Sequence, residues 1–208
     1  GMRASEFGED TAHLDALGAR GLFGGGGGAL QQPHCLFGLV LRHVRAGEIF
    51  GIAGLVGAGR SDLAQTIFGV DGRLGGEIRI NGQILTGKSA REAIDKGVYL
   101  IPEDRRNTGL LTEFCIRENI TLPALKRYSS QWLVSKSKEK TESEKLCGRL
   151  NVKTASIETY VKNLSGGNQQ KVVLAKWLQL DPKVLIFDEP TRGIDVGAKS
   201  EIYDLIRD

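Results

Sequence analysis

The chain has 208 residues, of which 25% are charged and 40% are hydrophobic, a composition typical of a globular domain with a single core. Its formal net charge of +3 is too small for the dense basic face of a dedicated nucleic-acid binder. No apolar run approaches the roughly 20 residues that a membrane-spanning helix requires, so any membrane role must come through a partner.

The first 33 residues differ in character from the rest of the chain. Residues 24–28 are consecutive glycines, whose backbone entropy opposes ordered structure. Gly1, which precedes Met2, resembles the remnant of a tag. We expect most of residues 1–33 to be disordered or to be an extension outside the domain. The domain itself is expected at residues 34–208, with its C-terminal end missing.

A glycine-rich loop with the sequence GLVGAGRS occupies residues 54–61, between an apolar run at 48–53 and a helical pattern at 62–68. A strand, a glycine loop and a helix in this order are typical of a site where backbone N–H groups bind phosphate. Ser61 would place its hydroxyl on Mg²⁺. Arg60 stands where such loops usually carry lysine, and its planar guanidinium is not equivalent to a compact ammonium. We expect ATP binding here and leave hydrolysis open; alone, the loop could also be an ordinary strand-to-helix turn.

Further elements follow in chain order. Residues 75–82 predict a short strand that ends in an Asn-Gly turn, and residues 89–96 predict a helix capped by Ser89. Residues 98–101 predict a buried strand. From about residue 112 to 165 the pattern becomes helical and polar, which predicts an all-helical subdomain. Alternating strands and helices indicate an α/β domain with a largely parallel central sheet.

Two adjacent carboxylates, Asp188 and Glu189, end a second apolar strand at residues 184–187. Carboxylates at the end of a strand buried on both faces need a partner, and a metal ion with a bound water would supply one. Asp188 would act through the Mg²⁺ shell, and Glu189 would orient or deprotonate the attacking water in phosphoryl transfer. Both could instead be ordinary caps of the next loop. Glu103, which follows the strand at residues 98–101, could meet the metal or belong to a charged surface loop.

A second glycine turn, with the sequence LSGGN, occupies residues 164–168 and opens a predicted helix that extends to residue 180. Such a turn at a helix N-terminus can bind phosphate through backbone N–H groups. Asp195 predicts an N-cap for a helix that starts at Val196. The three cysteines are odd in number and widely spaced, which predicts reduced thiols, and the three histidines show no metal-ligand spacing.

From about residue 45 to 208 the chain resembles the ATP-binding subunits of bacterial ABC importers for monosaccharides of the ribose, galactose and xylose type. The likeness is to the second of the two cassettes that those subunits contain. Arginine at position 60 and glutamate at position 103 are features of that second cassette. Autoinducer-2 importers share them, so the sugar is not identified. The likeness rests on four runs, GLVGAGRS at 54–61, PEDR at 102–105, LSGGNQQK at 164–171 and DEPTRGIDVGA at 188–198.

The resemblance implies an α/β P-loop NTPase fold of the ABC type, with a mostly parallel core sheet, an accessory antiparallel β part and a helical subdomain. It implies ATP and Mg²⁺ as cofactors, with Glu189 as the catalytic residue and Ser61, Asp188 and Glu103 on the metal. The nucleotide would be bound by residues of both glycine turns, namely Gly54, Gly57, Ala58, Gly59, Arg60, Ser61, Asp62, Ser165, Gly166, Gly167 and Asn168.

The resemblance also implies a peripheral protein on the cytoplasmic face of the plasma membrane that couples ATP binding and hydrolysis to sugar import. Its expected partners are a second cassette, closed head to tail over the nucleotide with the Asp195 loop at the interface, and a permease that docks on the helical subdomain and the loop after Glu103. A periplasmic sugar-binding protein would be an indirect partner, and no nucleic acid is expected. An alternative is a degenerate module with little hydrolysis of its own, which completes the site of a partner cassette. A weaker alternative, a cassette ATPase of DNA repair or translation, requires a basic groove that the charge does not suggest.

Overall fold

The structure is a computed structural model that describes residues 14–17, 44–73, 75–130 and 132–207. The chain divides into two compact units, residues 2–98 and residues 99–208. In chain order the strands and helices are β1 (Leu14–Leu17), α1 (Arg60–Phe68), β2 (Glu77–Ile80), β3 (Gln83–Leu85), α2 (Ala90–Asp95), β4 (Val98–Ile101), α3 (Ile116–Thr121), α4 (Leu125–Tyr128), β5 (Ser129–Ser130), β6 (Leu133–Val134), α5 (Lys136–Arg149), α6 (Gly166–Leu178), β7 (Val184–Phe187) and α7 (Val196–Arg207).

An antiparallel sheet in the order β1-β2-β3 lies in the first unit. The turn between β2 and β3 has Asn81 at φ 50° and Gly82 at φ 75°, the left-handed pair that a two-residue hairpin of the I′ type requires, so the predicted strand and turn are confirmed. β1 falls inside the segment expected to be disordered, but its four residues pair with β2 from Leu14 opposite Ile80 onward. The unpaired edge of β2 explains the difference. The rest of residues 1–33 lies outside the described residues.

In the first unit, α1 begins at Arg60, two residues before the predicted start, and ends at Gly69 as predicted, while α2 has Ser89 as its predicted N-cap. The N–H of Gly69 ends α1 by donating to the carbonyls of Gln65 and Thr66, with φ 80°. Only glycine fits at this position, because a Cβ there would lie 2.7 Å from the carbonyl carbon of Ser89. Ser89 in turn caps α2, since its hydroxyl accepts a hydrogen bond from the N–H of Glu92 at 3.3 Å.

Residues 48–53 do not form the strand predicted before the glycine loop. The side chains of Ile49 and Phe50 are 65% and 48% exposed. A strand of a parallel sheet is stable only when neighbouring strands satisfy its backbone and other elements cover its faces. No strand within the described residues pairs with this segment, so its apolar sequence remains extended chain.

The sheet of the second unit consists, within the described residues, of β4 and β7 side by side in parallel. The N–H of Asp188 donates to the carbonyl of Ile101 at 2.9 Å, which places the ends of both strands together. β4 is fully buried, in agreement with the sequence. β7 is only half-buried, so the expectation of burial on both faces was wrong, because no described strand covers its other edge.

The centre of the second unit is α6, which packs against α3, α5 and α7. Val172, Val173 and Ala175 on this helix have no exposed surface. The Lys171 ammonium, which is almost fully buried, donates to the carbonyl of Asn151 at 2.9 Å and to the Glu201 carboxylate on α7 at 2.6 Å. This lysine therefore fixes α7 to α6 through a charge-assisted hydrogen bond.

The helical subdomain contains α3, α4 and α5, together with a small hairpin formed by β5 and β6. The expectation of an all-helical insert was therefore wrong at residues 129–130 and 133–134. Two strands of two residues each are too short to show the alternation of apolar and polar residues by which a strand is recognised. Trp132 lies in the hairpin turn with φ 70°, in the left-handed region.

A buried ionic network holds this subdomain together. The Arg117 guanidinium on α3 donates to the Glu139 carboxylate on α5 at 2.8 Å and to the Glu158 carboxylate at 2.7 Å. Glu139 also accepts a hydrogen bond from the Thr121 hydroxyl at 2.6 Å. The side chains of Arg117 and Glu139 are 8% and 4% exposed, so both charges depend on each other for compensation.

The described cysteines, Cys115 and Cys147, are free and buried. Burial raises the pKa of each thiol to about 11, so both are neutral at pH 7 and poor nucleophiles. These two free thiols agree with the reduced state predicted from the sequence. Cys35 and the three histidines lie outside the described residues. Within the part of the chain that the structure describes, no helix has both the length and the apolar character to cross a bilayer.

Candidate functional site

The glycine-rich loop of the first unit folds into a tight turn that leads directly into α1. The N–H of Ala58 donates to the carbonyl of Leu55 at 3.1 Å. Gly57 and Gly59 have φ values of 81° and 78°, which side-chain-bearing residues rarely adopt. A Cβ on Gly54 would lie 3.2 Å from the Cβ of Ala58, so the first glycine is needed for close approach.

The N-terminus of α1 has the character of an anion site. Gly59 is its N-cap, and no side chain caps the helix there. The first turn contains Arg60, Ser61 and Asp62, of which Arg60 and Ser61 are half-buried and Asp62 is exposed. Backbone N–H groups and the positive end of the helix dipole favour a phosphate at this position, so the loop fits the triphosphate of a nucleotide. The contacts predicted for individual residues of this loop remain predictions.

The second glycine turn opens α6. The hydroxyl of Ser165 caps the helix by accepting hydrogen bonds from the N–H and the side-chain amide of Asn168, at 3.5 and 3.0 Å. The side-chain oxygen Oδ1 of Asn168 in turn accepts a hydrogen bond from the main-chain N–H of Lys153 at 2.8 Å. Each side chain of this turn is therefore oriented by a local hydrogen bond, as a binding element requires.

The two glycines of this turn, predicted to bind phosphate, are needed for packing. A Cβ on Gly167 would lie 2.7 Å from the Cβ of Ala198 on α7. A Cβ on Gly166 would lie 2.6 Å from the Arg105 guanidinium and 3.1 Å from the carbonyl of Gly193. The sequence pattern indicated phosphate contact, but only the fold shows that another loop and another helix press against these positions.

The carboxylate pair occupies two different environments. Asp188 is only 7% exposed, whereas Glu189 is exposed. Glu189 has φ 46°, and its carbonyl accepts from the N–H of Arg192 at 3.0 Å to close a turn. A non-glycine residue in the left-handed region costs about 1–2 kcal/mol, and such strain is found most often at functional positions.

The segment after β4 connects to the loop that follows the carboxylate pair. The Glu103 carboxylate forms an ion pair with the Arg192 guanidinium. The metal contact expected of Glu103 stays a prediction. Asp195 accepts a hydrogen bond from the N–H of Ala198 at 2.9 Å, which confirms its N-cap role for α7.

The sequence pattern assigns no role to Arg105, yet its side chain contacts two separate parts of the second unit, the loop after Glu189 and α6. Its guanidinium donates to the carbonyl of Arg192 at 2.9 Å, to the carbonyl of Gly193 at 3.3 Å and to the side chain of Gln169 on α6 at 3.4 Å. Burial and the neighbouring Arg106 charge lower the pKa of Arg105. The position of Arg105 in the run PEDR, two residues after Glu103, was the only sequence signal, because its partners lie far along the chain.

A short π-helical turn, Arg105–Gly109, is shaped by the residue before it. The Asp104 carboxylate accepts from the N–H groups of Arg106 and Asn107 at 3.2 and 3.1 Å, and from the Asn107 side chain. The hydrogen bonds from Asn107 lower the pKa of Asp104. An ionised Asp104 thereby fixes the turn from which the Arg105 side chain extends.

The predicted site residues thus fall into two groups. In the second unit the structure brings the segment after β4, the turn at Ser165–Asn168 and the loop after Glu189 into direct contact through Arg105. The glycine loop at residues 54–61 belongs to the first unit.

Each unit contains an oxygen donor of the type that Mg²⁺ prefers when it arrives with a nucleotide. Among the described residues, no group of three or more His, Cys, Asp or Glu side chains could hold a metal ion by itself. Mg²⁺ is usually bound by one or two carboxylates together with substrate phosphates, not by an all-protein cage. The hydroxyl of Ser61 and the buried carboxylate of Asp188 are oxygen donors of the kind it prefers.

Solved structures share this fold. The dimeric, post-hydrolysis structure of the ATP-binding cassette MJ0796 bound to ADP and Pi matches 94% of this chain and 81% of its own, with a TM-score of 0.66 and 19% identity. A bacterial Atm1-family ABC exporter with ATP bound matches 97% of this chain and 33% of its own, with a TM-score of 0.64 and 22% identity. The fold is that of an ABC nucleotide-binding cassette, as expected from the sequence.

Residues 40–192 match the family model described as ABC transporter. The chain belongs to the ABC transporter family. It is 52% identical over 163 residues to the ribose import ATP-binding protein RbsA 2 of Rubrobacter xylanophilus, covering 78% of this chain and 31% of that protein. It is 51% identical over 164 residues to the arabinose import ATP-binding protein AraG of Mannheimia succiniciproducens, covering 78% of this chain and 33% of that protein. The chain spans about a third of the length of these relatives.

Proposed function

We propose that this chain is the ATP-binding cassette of a sugar importer, which couples ATP binding and hydrolysis to transport through a membrane permease. The observation that carries the proposal is the second-unit arrangement, in which the Ser165–Asn168 turn packs against the loop that follows Asp188 and Glu189. The relatives that it matches are named as ribose and arabinose import proteins, which supports a pentose or similar monosaccharide as the transported solute.

Each unit has its own role in this proposal. In the first unit, the N-terminus of α1 and the glycines before it would bind the phosphates, with Arg60 adding positive charge and Ser61 a hydroxyl ligand for Mg²⁺. Bound Mg²⁺ would neutralise charge on the phosphates. In the second unit, Asp188 would hold the metal and Glu189 would orient and deprotonate the attacking water. The difference in exposure of the two carboxylates supports this division of roles.

The Ser165–Asn168 turn would serve a second cassette. Ser165 is exposed and sits at the N-terminus of a 13-residue helix, where backbone N–H groups favour a phosphate. In the proposed head-to-tail pair, this turn closes over the nucleotide held by the partner's glycine loop. The loop that contains Asp195, which is exposed as well, would lie at the same interface.

Replacing Arg60 with lysine separates this proposal from a degenerate module with little hydrolysis of its own. If the native loop is competent, we expect Arg60→Lys to change ATP turnover of the assembled cassettes by no more than about twofold, because the guanidinium, although planar and forked, would already supply the positive charge that the phosphates need. A rise of tenfold or more would mean that the arginine restrains hydrolysis and would favour the degenerate module. Titration with a fluorescent ATP analogue and Mg²⁺ tests nucleotide binding first. Arg91→Lys, an exposed position paired with Asp95, is the matched control.

An exposed apolar patch on the helical subdomain is the proposed docking site for the permease. Five large side chains of this patch are exposed, and several line a cavity of about 290 Å³ between α3, α4, β6 and α5. Several large apolar side chains exposed within one subdomain are typical of a protein–protein contact. The patch consists of Phe114, Leu122, Trp132, Leu133 and Val134, with Trp132 fully exposed.

The double change Trp132→Ser and Leu133→Ser is expected to weaken co-purification with the permease at least tenfold, because exposed aromatic and aliphatic anchors dominate such contacts. The thermal midpoint of the free chain should change little, since both side chains are exposed at 101% and 75%. Val70→Ser, an apolar residue of the first unit that is 59% exposed, is the control. Unaltered co-purification of the double variant would remove the patch from the proposed interface.

A further inference from the structure

The guanidinium of Arg105 donates both to the loop after Glu189 and to the N-terminal part of α6. Its partners are two main-chain carbonyls, of Arg192 and Gly193, and one side chain, that of Gln169. Gln169 is only 1% exposed and is itself fixed by a hydrogen bond from its amide to the carbonyl of Val161 at 3.1 Å. The guanidinium is therefore anchored on a rigid helix and reaches out to an exposed loop.

The geometry requires arginine and not merely a positive charge. A guanidinium presents five N–H groups in a fixed plane, so it can bind two carbonyls and a side-chain oxygen at once. An ammonium is a compact point charge that cannot span the same three acceptors. The absence of a Cβ at Gly166 makes room for this plane, since a Cβ there would lie 2.6 Å from the terminal nitrogen of Arg105.

We propose that Arg105 is a positioning residue that holds the loop at residues 191–195 against the start of α6. It thereby fixes the backbone of Glu189 relative to the Ser165–Asn168 turn. The role in turnover rests on the proposed function, but the role in loop geometry does not. Because Arg105 lies in the segment directly after Glu103, any movement of that segment would be transmitted to both elements together.

The consequence for nucleotide chemistry is specific. The hydrogen-bond partners of Arg105, namely Gln169, Arg192 and Gly193, all belong to the second unit, so loss of this arginine should leave nucleotide affinity at the glycine loop nearly unchanged. Turnover should fall, since Glu189 would no longer be held at its left-handed φ of 46° by an anchored turn. A merely structural arginine would instead lower stability and affinity together.

Hydrogen exchange in the nucleotide-free chain tests the geometric part. The amides of Arg192 and Ala198 are hydrogen bonded, to the carbonyl of Glu189 at 3.0 Å and to the Asp195 carboxylate at 2.9 Å. We expect Arg105→Gln and Arg105→Lys to speed the exchange of both amides at least tenfold. Arg106→Gln is the matched control, because Arg106 also donates to Gln169 at 3.4 Å, whereas the hydrogen bonds to the Arg192 and Gly193 carbonyls come from Arg105. Exchange in the Arg105 variants no faster than in Arg106→Gln would overturn the proposal.

Gly166→Ala supplies a second route that retains the arginine. Its methyl group should displace the guanidinium and speed exchange of the same two amides. Because that methyl would also lie 3.1 Å from the Gly193 carbonyl, the double variant Gly166→Ala and Arg105→Lys separates the two contacts. Exchange in the double variant no faster than in Gly166→Ala alone would show that the methyl acts through the arginine, whereas additive acceleration would contradict it. For the assembled cassettes we expect kcat to fall at least tenfold in Arg105→Lys, with the nucleotide dissociation constant within about twofold. If the native chain binds no nucleotide, the proposed function fails, whereas the exchange result still decides the role of Arg105. A parallel loss of affinity and stability in Arg105→Lys would contradict a positioning role.

Discussion

Glu189→Gln is expected to lower the rate of ATP hydrolysis by the assembled cassettes by about 100- to 10,000-fold, the contribution typical of a positioned general base. Glutamine keeps the size and hydrogen-bonding shape of the side chain but cannot accept the proton of the attacking water. The side chain is exposed and the backbone turn is closed by main-chain atoms, so nucleotide binding should be retained. Steady-state phosphate release and equilibrium binding of Mg-ATP measure the two effects separately.

Glu189→Gly is the informative companion to this change. Position 189 has φ 46°, a conformation that glycine adopts at little cost, so the glycine variant should be at least as stable as the native chain. It should nevertheless be as inactive as Glu189→Gln. Substantial hydrolysis in either variant would show that another group activates the water and would remove Glu189 from its proposed role.

Arg117→Met is expected to lower the free energy of unfolding by about 3 kcal/mol, because it leaves the buried Glu139 carboxylate without its compensating charge. Glu139 would keep only the hydrogen bond from the Thr121 hydroxyl. Urea denaturation at pH 7, followed by circular dichroism, gives the change in unfolding free energy. Lys140→Met, which breaks an exposed ion pair with Glu144, is the control and should cost less than about 1 kcal/mol.

The double variant Arg117→Met and Glu139→Met should recover most of that loss, since well-packed apolar residues often replace a buried ion pair without penalty. The Thr121 hydroxyl would still donate to the carbonyl of residue 117, as it does at 2.9 Å in the native chain. A double variant no more stable than Arg117→Met alone would show that Glu139 does not depend on this arginine.

The same network predicts a pH dependence of stability. Hydrogen bonding by Arg117 lowers the pKa of Glu158 below its ordinary value of 4.5. A carboxyl group whose pKa is lowered on folding stabilises the folded state at pH values above its unfolded-state pKa. This contribution is lost as the pH falls through the folded-state pKa. The native chain should therefore lose more stability below pH 4.5 than Arg117→Met does. The carboxylate is 56% exposed, so this difference will be smaller than the effect of the arginine itself.

Local sequence patterns predicted most of the individual elements correctly. α1 ends at Gly69 and α2 is capped at its start by Ser89, both as expected. Helix capping and left-handed glycines depend on neighbouring residues alone. The turn after β2 and the N-cap at Asp195 have the same local origin. The elements that departed from expectation, residues 48–53 and the β5–β6 hairpin, depend on strand pairing, which a local pattern does not specify.

The amino-acid sequence by itself determined the order of glycine turns and carboxylates, and hence the family, because each motif is a short run whose backbone geometry is set within the run. The tertiary structure alone decided how these runs meet in the second unit. It placed Arg105 on the carbonyls of Arg192 and Gly193, and Arg117 between Glu139 and Glu158. Such contacts join residues far apart in the chain, and only the packing of α3 and α5 around α6 determines which side chains come within hydrogen-bonding distance.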